Sequence, residues 1–202
     1  MNKTKQEVLA EMLQNKSNKY AVQQQIAKRQ QQKSLIDLDK ICIITPIPIF
    51  IQNAFTELHS RPAQVGIFRI SPAEQIYRPL CSEIDENYYV DPKQQETDVI
   101  CALIKYFYRR LQNQLFSTEL CKKLRVHMDN PVLLKADLVN LRPSYFENTI
   151  YLLQNLSKIT TVSEYKMDSR NLGICFAPNI FEDYQFGDEK ILKTLIEVAG
   201  VM

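Results

Sequence analysis

Residues 97–110 read TDVICALIKYFYRR and have the clearest periodicity in this chain of 202 residues. The apolar residues recur at intervals of three and four, as they do along the buried face of an α-helix. The residues that share this face are Val99, Ile100, Leu103, Ile104 and Phe107. The pattern predicts an amphipathic helix over Thr97–Arg110 that packs one face against a core.

Helix start and stop signals recur on both sides of this stretch. Prolines suit the first turn of a helix, and Ser, Thr or Asp suit the position before it. Six further helices are predicted: Pro48 through Leu58, one from Ser71-Pro72, one from Ser117 or Thr118 toward His127, one from Arg142-Pro143, a short one over Asp168–Phe176 that stops at Pro178, and Glu189–Val198. Since no alternating strand pattern and no repeat occurs, we predict an all-α fold.

The first 34 residues differ in composition from the rest of the chain. Residues 1–33 contain eight glutamines, and their seven basic and two acidic residues give a net charge of +5. We interpret 1–34 as a basic, Gln/Lys-rich helical extension and 35–202 as the helical domain. Three interpretations of the extension are open. We favour a solvated helix that is partly docked on its own domain. The other two are a coiled-coil segment and a basic arm that contacts anionic lipid or an acidic partner.

Composition also excludes several classes of function. The whole chain has a net charge of +2, which gives no global signature of nucleic-acid binding. Five cysteines without a C-x-x-C pair, and only two histidines, argue against a disulfide framework and a metal site. No signal peptide and no apolar run of membrane-spanning length is present. We therefore expect a cytoplasmic protein without a bound metal.

Arg69 lies in the loop Val65-Gly-Ile-Phe-Arg-Ile-Ser71, just before a predicted helix start. Apolar neighbours, namely Ile67, Phe68 and Ile70, can hold such a loop against the core while the arginine points outward. A cation inserted into the site of another molecule requires this arrangement. A surface arginine that pairs locally explains the heptapeptide equally well, so the residues alone leave both interpretations open.

Two predicted helices carry polar residues that also have two interpretations. Lys105 and Arg109 are four residues apart, so they share one face of their helix, roughly opposite its core face. An anionic partner would relieve the repulsion between them, but a solvated charged face that includes Asp98 is the simpler explanation. Asn171 lies in an otherwise apolar short helix. It is either a satisfied core residue, which its surroundings favour, or a donor presented at a surface.

These three elements, in this order and spacing, resemble the GTPase-activating domain of the Rho GAP family. The matching stretches are Gly66-Ile-Phe-Arg-Ile-Ser71, Leu103-Ile-Lys105 with Phe107 and Arg109, and Lys166-Met167 with Asn171-Leu172 and Phe176-Ala-Pro178. The resemblance covers roughly residues 36–200, nearly all of the chain beyond the basic extension. Each motif alone is weak evidence, but three in register are strong evidence.

The resemblance implies a Rho GAP-like domain that activates Rho/Rac-type small GTPases. Arg69 matches the family's arginine finger, which enters the partner in trans. Lys105 and Arg109 match two basic residues of the partner-facing helix, and Asn171 matches an asparagine near the finger. The partner would bind GTP and magnesium, so this protein would need no cofactor and would be an activator rather than an enzyme. It would be cytoplasmic, with recruitment to the membrane where the GTPase lies. The alternative is a catalytically inactive GTPase-binding or adaptor module, against which the presence of Arg69 argues.

The sequence departs from the family pattern at four places. Val65 stands where the family usually has Glu, Pro72 where Gly is common, and Tyr165 where Asn normally precedes Lys-Met. The segment Leu111–Leu115 lacks both prolines of the family's Leu-Pro-x-Pro-Leu, which we expect to loosen the loop after Arg110. None of these departures falls on a residue that the resemblance assigns to the site.

Overall fold

The computed structural model describes residues 35–200. From Ile36 onward, the described chain forms one compact unit. The predicted basic helix of residues 1–34 lies outside the described residues. That helix, the interpretations of its role and the predicted boundary with a domain of residues 35–202 therefore stay predictions.

Nine α-helices and two short 3₁₀ helices make up the described chain, and no β-strand occurs between residues 35 and 200. The helices are α1 (Leu38–Ile41), α2 (Ile49–Ser60), α3 (Glu74–Asn87), α4 (Thr97–Arg109), α5 (Thr118–Val126), α6 (Pro131–Leu138), α7 (Pro143–Thr160), α8 (Ser169–Ile180) and α9 (Asp188–Ala199). The 3₁₀ helices cover Pro92–Gln94 and Ser163–Tyr165. No helix within this part of the chain is long and apolar enough to cross a membrane. The all-α prediction is confirmed for these residues.

Local signals explain where several helices begin. The hydroxyl of Ser117, a predicted cap, accepts a hydrogen bond from the backbone N of Leu120 at 3.3 Å at the start of α5. Asp168 caps α8 in the same way, accepting from the backbone N of Asn171 at 2.7 Å. Pro143 is the first residue of α7, where its missing N–H has no partner to lose.

Two predicted helix limits are wrong. The third helix begins at Glu74 rather than at Ser71-Pro72, because the chain stays extended through Ala73, which has φ −61° and ψ 133°. Helix α8 does not stop at Pro178 but continues for two more residues. Proline lacks the N–H that would bond to the carbonyl of Ile174, one turn earlier. Ile174 is 50% exposed and Pro178 is exposed too, so the missing hydrogen bond falls on a turn of the helix that borders solvent and not in the core.

Helix α4 is packed on several sides, since it contacts α2, α3 and α8. Its five predicted core residues are each at most 2% exposed: Val99, Ile100, Leu103, Ile104 and Phe107. Cys101 and Tyr108 are buried as well, so the buried surface is wider than the single predicted face. A helix with several neighbours is apolar on several sides. Its remaining surface carries the half-buried Lys105 and the exposed Arg109.

The segment after α4 is anchored at both ends, although we expected the missing prolines to loosen it. At one end, the backbone of Ile36 donates to the carbonyl of Arg110 at 2.9 Å and accepts from the N of Gln112 at 2.8 Å. At the other end, the backbone N of Phe116 donates to the carbonyl of Ile180 at 2.9 Å. Both leucines of the segment are buried. Backbone pairing and burial therefore replace the prolines as restraints.

A cationic surface around Arg69

Arg69 lies on a tight turn between α2 and α3. Gly66 and Phe68 have φ values of 76° and 66°, a left-handed conformation that glycine adopts readily and phenylalanine rarely. The backbone N of Gly66 donates to the carbonyl of Tyr165 at 2.8 Å. The carbonyl of Gly66 accepts from the backbone N atoms of Arg69 and Ile70, at 2.9 and 3.3 Å. The turn is thus bonded both to itself and to the 3₁₀ helix before α8.

Two apolar side chains fix this turn to the core. Ile67 and Phe68 are only 3% and 1% exposed. The ring of Phe68 lies edge-on to Phe176 of α8, with centroids 4.8 Å apart, and 6.4 Å from the ring of Phe55 in α2. Ile70, which we expected to help hold the loop, is instead 44% exposed. Burial of Phe68 stabilises its unusual backbone conformation, and the next side chain points outward.

The guanidinium of Arg69 lies over the backbone of the turn. A Cβ atom added at Gly66 would be 3.4 Å from Nη2 of Arg69. The arginine side chain is exposed, and its guanidinium forms no ion pair or hydrogen bond with any residue between 35 and 200. A guanidinium stays charged and offers five N–H donors in a planar fork. Within the described chain these donors are available to a partner.

Lys105 supports the turn from below, on α4. Its Nζ donates a hydrogen bond to the carbonyl of Phe68 at 2.7 Å. The side chain is half-buried, and burial lowers the pKa of the Lys105 ammonium below its ordinary value. Hydrogen bonds from a charged donor are stronger than those between neutral groups. This contact therefore restrains the residue immediately before Arg69.

Arg109 lies one turn further along α4 and borders an open groove of about 380 Å³. The groove is lined by Ser71, Pro72, Tyr77, Ala102, Lys105, Tyr106, Arg109, Pro178 and Asn179. The guanidinium carbon of Arg109 is 5.5 Å from the centroid of the Tyr106 ring, a cation–π distance. Asp98, which was expected on the same side of the helix, accepts a hydrogen bond from the backbone N of Val99 at 2.9 Å. In the described chain, neither Lys105 nor Arg109 forms an ion pair.

Helix α8 supplies the opposite side of this surface. Burial raises the pKa of the Cys175 thiol, while the charges of Lys105 and Arg69 lower it, which indicates that both cations lie near this residue. Asn171 is half-buried and four residues before Cys175, so both project from the same face of α8. The structure thus brings Arg69 and Lys105 together beside Cys175, with Asn171 one helical turn away and Arg109 along the groove.

Two contributors to this surface were not found from the sequence. Asn179 is only 9% exposed and lines the groove, and its Nδ2 donates to the carbonyl of Cys175 at 2.9 Å. The pair Pro178-Asn179, at the end of the third matching stretch, was the available signal for it. Tyr165 holds Gly66 through its carbonyl oxygen. Because this contact is made by the backbone, the type of residue at position 165 does not indicate it.

This surface carries positive charges whose N–H donors face solvent or a groove. Arg69, Lys105 and Arg109 are three cations without acidic partners in the described chain. A guanidinium can donate two parallel hydrogen bonds to the oxygens of a phosphate group. Residues 35–200 contain no group of three or more His, Cys, Asp or Glu side chains placed to hold a metal ion.

Comparison with protein families relates this chain to known proteins. A family model described as the RhoGAP domain matches residues 48–185, a range that includes all four predicted site residues. The chain is 29% identical over 147 residues to the Rho GTPase-activating protein gacY of Dictyostelium discoideum, an alignment that covers 68% of this chain and 20% of that protein. It is 28% identical over 170 residues to the T-cell activation Rho GTPase-activating protein of Homo sapiens, covering 75% of this chain and 23% of the relative. The chain therefore spans about a fifth of the length of these relatives.

Two solved structures share the fold. Human Rho GTPase activating protein 15 superposes with a TM-score of 0.67 at 20% sequence identity, covering 79% of this chain and 84% of that one. The BH domain from GRAF, the GTPase regulator associated with focal adhesion kinase, superposes with a TM-score of 0.70 at 16% identity, covering 81% and 95%. At these identities the likeness concerns the fold alone.

Proposed function

The chain belongs to the RhoGAP domain family, and from this premise we propose that it accelerates GTP hydrolysis by a Rho/Rac-type small GTPase. The observation that carries the proposal is the exposed guanidinium of Arg69, without an ion pair among residues 35–200, on a turn anchored in the core. GTP, magnesium and the attacking water belong to the partner. The protein itself then needs no cofactor, and it activates an enzyme without being one.

Arg69 is the proposed arginine finger, supplied in trans. During phosphoryl transfer, negative charge spreads over the γ-phosphate oxygens and the bridging oxygen, and a guanidinium beside them stabilises this state. It also helps to hold the GTPase glutamine that positions the water. Such a finger accelerates hydrolysis by about 10³–10⁵-fold. Lysine is a poor substitute, because its ammonium is a point charge without the planar fork of donors.

The other three residues have supporting roles in this proposal. Lys105 is a positioning residue, because its hydrogen bond to the Phe68 carbonyl restrains the turn that carries Arg69. Arg109 contacts acidic or main-chain groups of the partner at the edge of the groove. Asn171 donates a hydrogen bond to the partner from the same face of α8 that adjoins the two cations.

Single-turnover hydrolysis of GTP by a panel of Rho- and Rac-type GTPases tests this function. Each GTPase is measured alone, with this protein, and with its Arg69→Ala and Arg69→Lys variants. We expect strong acceleration of at least one member, lost in both variants, whereas Arg142→Ala, an exposed arginine paired with Asp39, keeps it. A panel without any acceleration would contradict the proposal.

Binding distinguishes the activator from the alternative of an inactive module. Because the finger acts chiefly in the transition state, Arg69→Ala should bind the GTP-loaded partner nearly as well as the unaltered protein does. If the unaltered protein bound GTP-loaded GTPase tightly but accelerated no member of the panel, it would be a binding or adaptor module instead.

A further inference from the structure

Tyr106 lies between Lys105 and Arg109 in α4, and the proposed function gives it no role. It is three residues before Arg109, so the two side chains are neighbours on the helix surface. The ring is half-buried and lines the groove, and the guanidinium carbon of Arg109 lies over it, 5.5 Å from its centroid. Arg109 itself is exposed and forms no ion pair with residues 35–200. In this part of the chain, the ring of Tyr106 is therefore the surface on which the guanidinium rests.

The hydroxyl of Tyr106 is fixed to a buried carboxylate. It donates a hydrogen bond to Oδ2 of Asp85 at 2.9 Å, and Asp85, on α3, is only 6% exposed. The other carboxylate oxygen, Oδ1, accepts from Nε of Arg110 at 3.0 Å, so Asp85 is itself held in place. Hydrogen bonds to a charged acceptor are stronger than those between neutral groups. The hydroxyl end of Tyr106 is therefore anchored to α3.

A second aromatic side chain fixes the orientation of the Tyr106 ring. Tyr77, also on α3, meets it at nearly a right angle: the ring centroids are 6.1 Å apart and the ring planes differ by 88°. Aromatic pairs favour this geometry because the positive edge of one ring faces the negative face of the other. Tyr77 lines the same groove. Tyr106 is thus restrained at its hydroxyl and at its ring before any partner binds.

The contact with Tyr106 restrains Arg109 without neutralising its charge. A cation–π contact is an attraction between a cation and the electron-rich face of a ring. Burial and the hydrogen bond to Asp85 raise the pKa of the Tyr106 hydroxyl above its ordinary value, so the ring stays neutral. An ion pair in the same position would occupy the guanidinium and leave less charge for a partner. A long side chain that is restrained beforehand also loses less conformational entropy on binding.

We propose that Tyr106 is a positioning residue for Arg109: its ring, anchored on α3, holds the guanidinium at the edge of the groove in the place where the GTPase binds. This inference rests on the proposed function, in which Arg109 contacts the GTPase. Tyr106 has no contact with the turn that carries Arg69, so it affects the affinity for the GTPase and not the maximal rate of hydrolysis.

Titration of the full chain against a fixed amount of GTP-loaded GTPase tests this proposal. Tyr106→Leu and Tyr106→Phe both lose the hydrogen bond to Asp85, so they differ only in the ring. We expect Tyr106→Leu to raise the concentration that gives half-maximal activation about three- to fivefold, and Tyr106→Phe to change it less than about twofold. The maximal rate should stay the same in both variants. Combined with Arg109→Ala, Tyr106→Leu should have no further effect. Tyr89→Leu, in a different groove, is the matched control and should leave both quantities unchanged.

A second measurement needs no GTPase. Protons that lie over the face of an aromatic ring resonate upfield, so the side-chain protons of Arg109 should be shifted upfield in NMR spectra of the unaltered chain and of Tyr106→Phe, but not of Tyr106→Leu. Absence of this shift from the unaltered chain would overturn the proposal. Equal half-maximal concentrations for Tyr106→Leu and Tyr106→Phe, or an equal effect of Tyr106→Leu with and without Arg109, would overturn it too. A panel of GTPases without any acceleration would instead contradict the proposed function, whatever the NMR shift, and this role would fall with it.

Discussion

Gly66 determines where the side chain of Arg69 can lie. Its φ of 76° is left-handed, and a Cβ atom added there would be in van der Waals contact with the arginine guanidinium, 3.4 Å from Nη2. Both features belong to one residue, but they have separate consequences. The backbone conformation affects stability, and the contact borders the side chain of the proposed finger.

We predict that Gly66→Ala destabilises the fold by about 1–2 kcal/mol, because an L side chain is unfavourable in the left-handed region. It should also reduce GTPase activation, because relief of the backbone strain would shift the turn that carries Arg69. Urea unfolding and single-turnover hydrolysis measure the two effects. Gly187→Ala is the matched control: its φ is 111° and no atom lies within 4 Å of the added Cβ. Equal loss of activation in both variants would show that general destabilisation, and not the turn at Gly66, is responsible.

Lys105 and Arg109 should affect different kinetic quantities. Lys105→Met keeps the length of the side chain but removes the donor to the Phe68 carbonyl, so the maximal hydrolysis rate should fall about tenfold or more. Arg109→Ala should instead raise the concentration that gives half-maximal activation, because this residue is free to contact the partner. Titration of the protein against a fixed GTPase separates these outcomes. The same change in both variants would contradict the division of roles.

For single residues, the sequence predicted which ones belong to the candidate site better than it predicted what they contact. Arg69, Lys105 and Arg109 could be singled out because charged residues stand out against apolar patterns. The hydrogen bond from Lys105 to Phe68 joins residues 37 positions apart and is made to a carbonyl, so no local pattern contains it. Asn179 was missed for a similar reason, because only the packed helices show that it lines the groove.

The close packing of α8 on α9 depends on Gly173. A Cβ atom added there would lie 2.6 Å from the carbonyl oxygen of Glu189, so the two helices would have to separate. We predict that Gly173→Ala destabilises the protein by about 1–3 kcal/mol, measured by urea unfolding. Gly200→Ala is the control, because its Cβ would meet only the movable hydroxyl of Ser157, at 3.0 Å. Equal stability of Gly173→Ala and the unaltered chain would refute this account of the interface.

A polar contact between the same two helices gives the fold a dependence on pH. Oε1 of Glu197 accepts a hydrogen bond from the hydroxyl of Ser169 at 2.7 Å, and Lys193 pairs with the same carboxylate at 3.0 Å. These contacts, with that from Ser169 the larger, hold the pKa of Glu197 below its usual value of 4.5. The stabilisation is therefore present above that value and is lost as the pH falls through the lower pKa of the folded state.

We predict that Glu197→Gln is less stable than the unaltered chain at neutral pH and loses less stability between about pH 5 and about pH 3. The glutamine has nearly the same shape but cannot titrate. Thermal unfolding over this pH range measures the difference between the two proteins. Parallel curves would show that Glu197 does not contribute to the acid sensitivity.

Helices were predictable where the signal lies within one turn of the chain. The caps at Ser117 and Asp168 and the first turn at Pro143 are of this kind. The start of α3 and the passage of α8 through Pro178 were predicted wrongly. The start of α3 depends on how the turn around Arg69 continues, and the passage through Pro178 depends on the exposure of Ile174. Neither is a property of the local sequence.

In the molecule as a whole, packing of the buried side chains holds the charged surface around Arg69 in place. Helix α4 contacts α2, α3 and α8, and the turn that carries Arg69 rests on the ring of Phe68 between α2 and α8. An ion pair holds the start of α9 in place: Arg125 of α5 donates to both carboxylate oxygens of the buried Asp188, at 2.8 and 2.7 Å. The all-α class followed from periodicity, but this arrangement required the three-dimensional structure.

The most direct test of the central claim is the affinity of this protein for its GTPase in the transition state. The GTPase is loaded with GDP, and binding is measured with and without aluminium fluoride, which occupies the place of the transferred phosphoryl group. An arginine finger acts chiefly in the transition state. We therefore predict that aluminium fluoride tightens binding of the unaltered protein by about a hundredfold or more, and that it has little effect on binding of the Arg69→Ala variant. An equal gain in affinity for both proteins would contradict the assignment of Arg69.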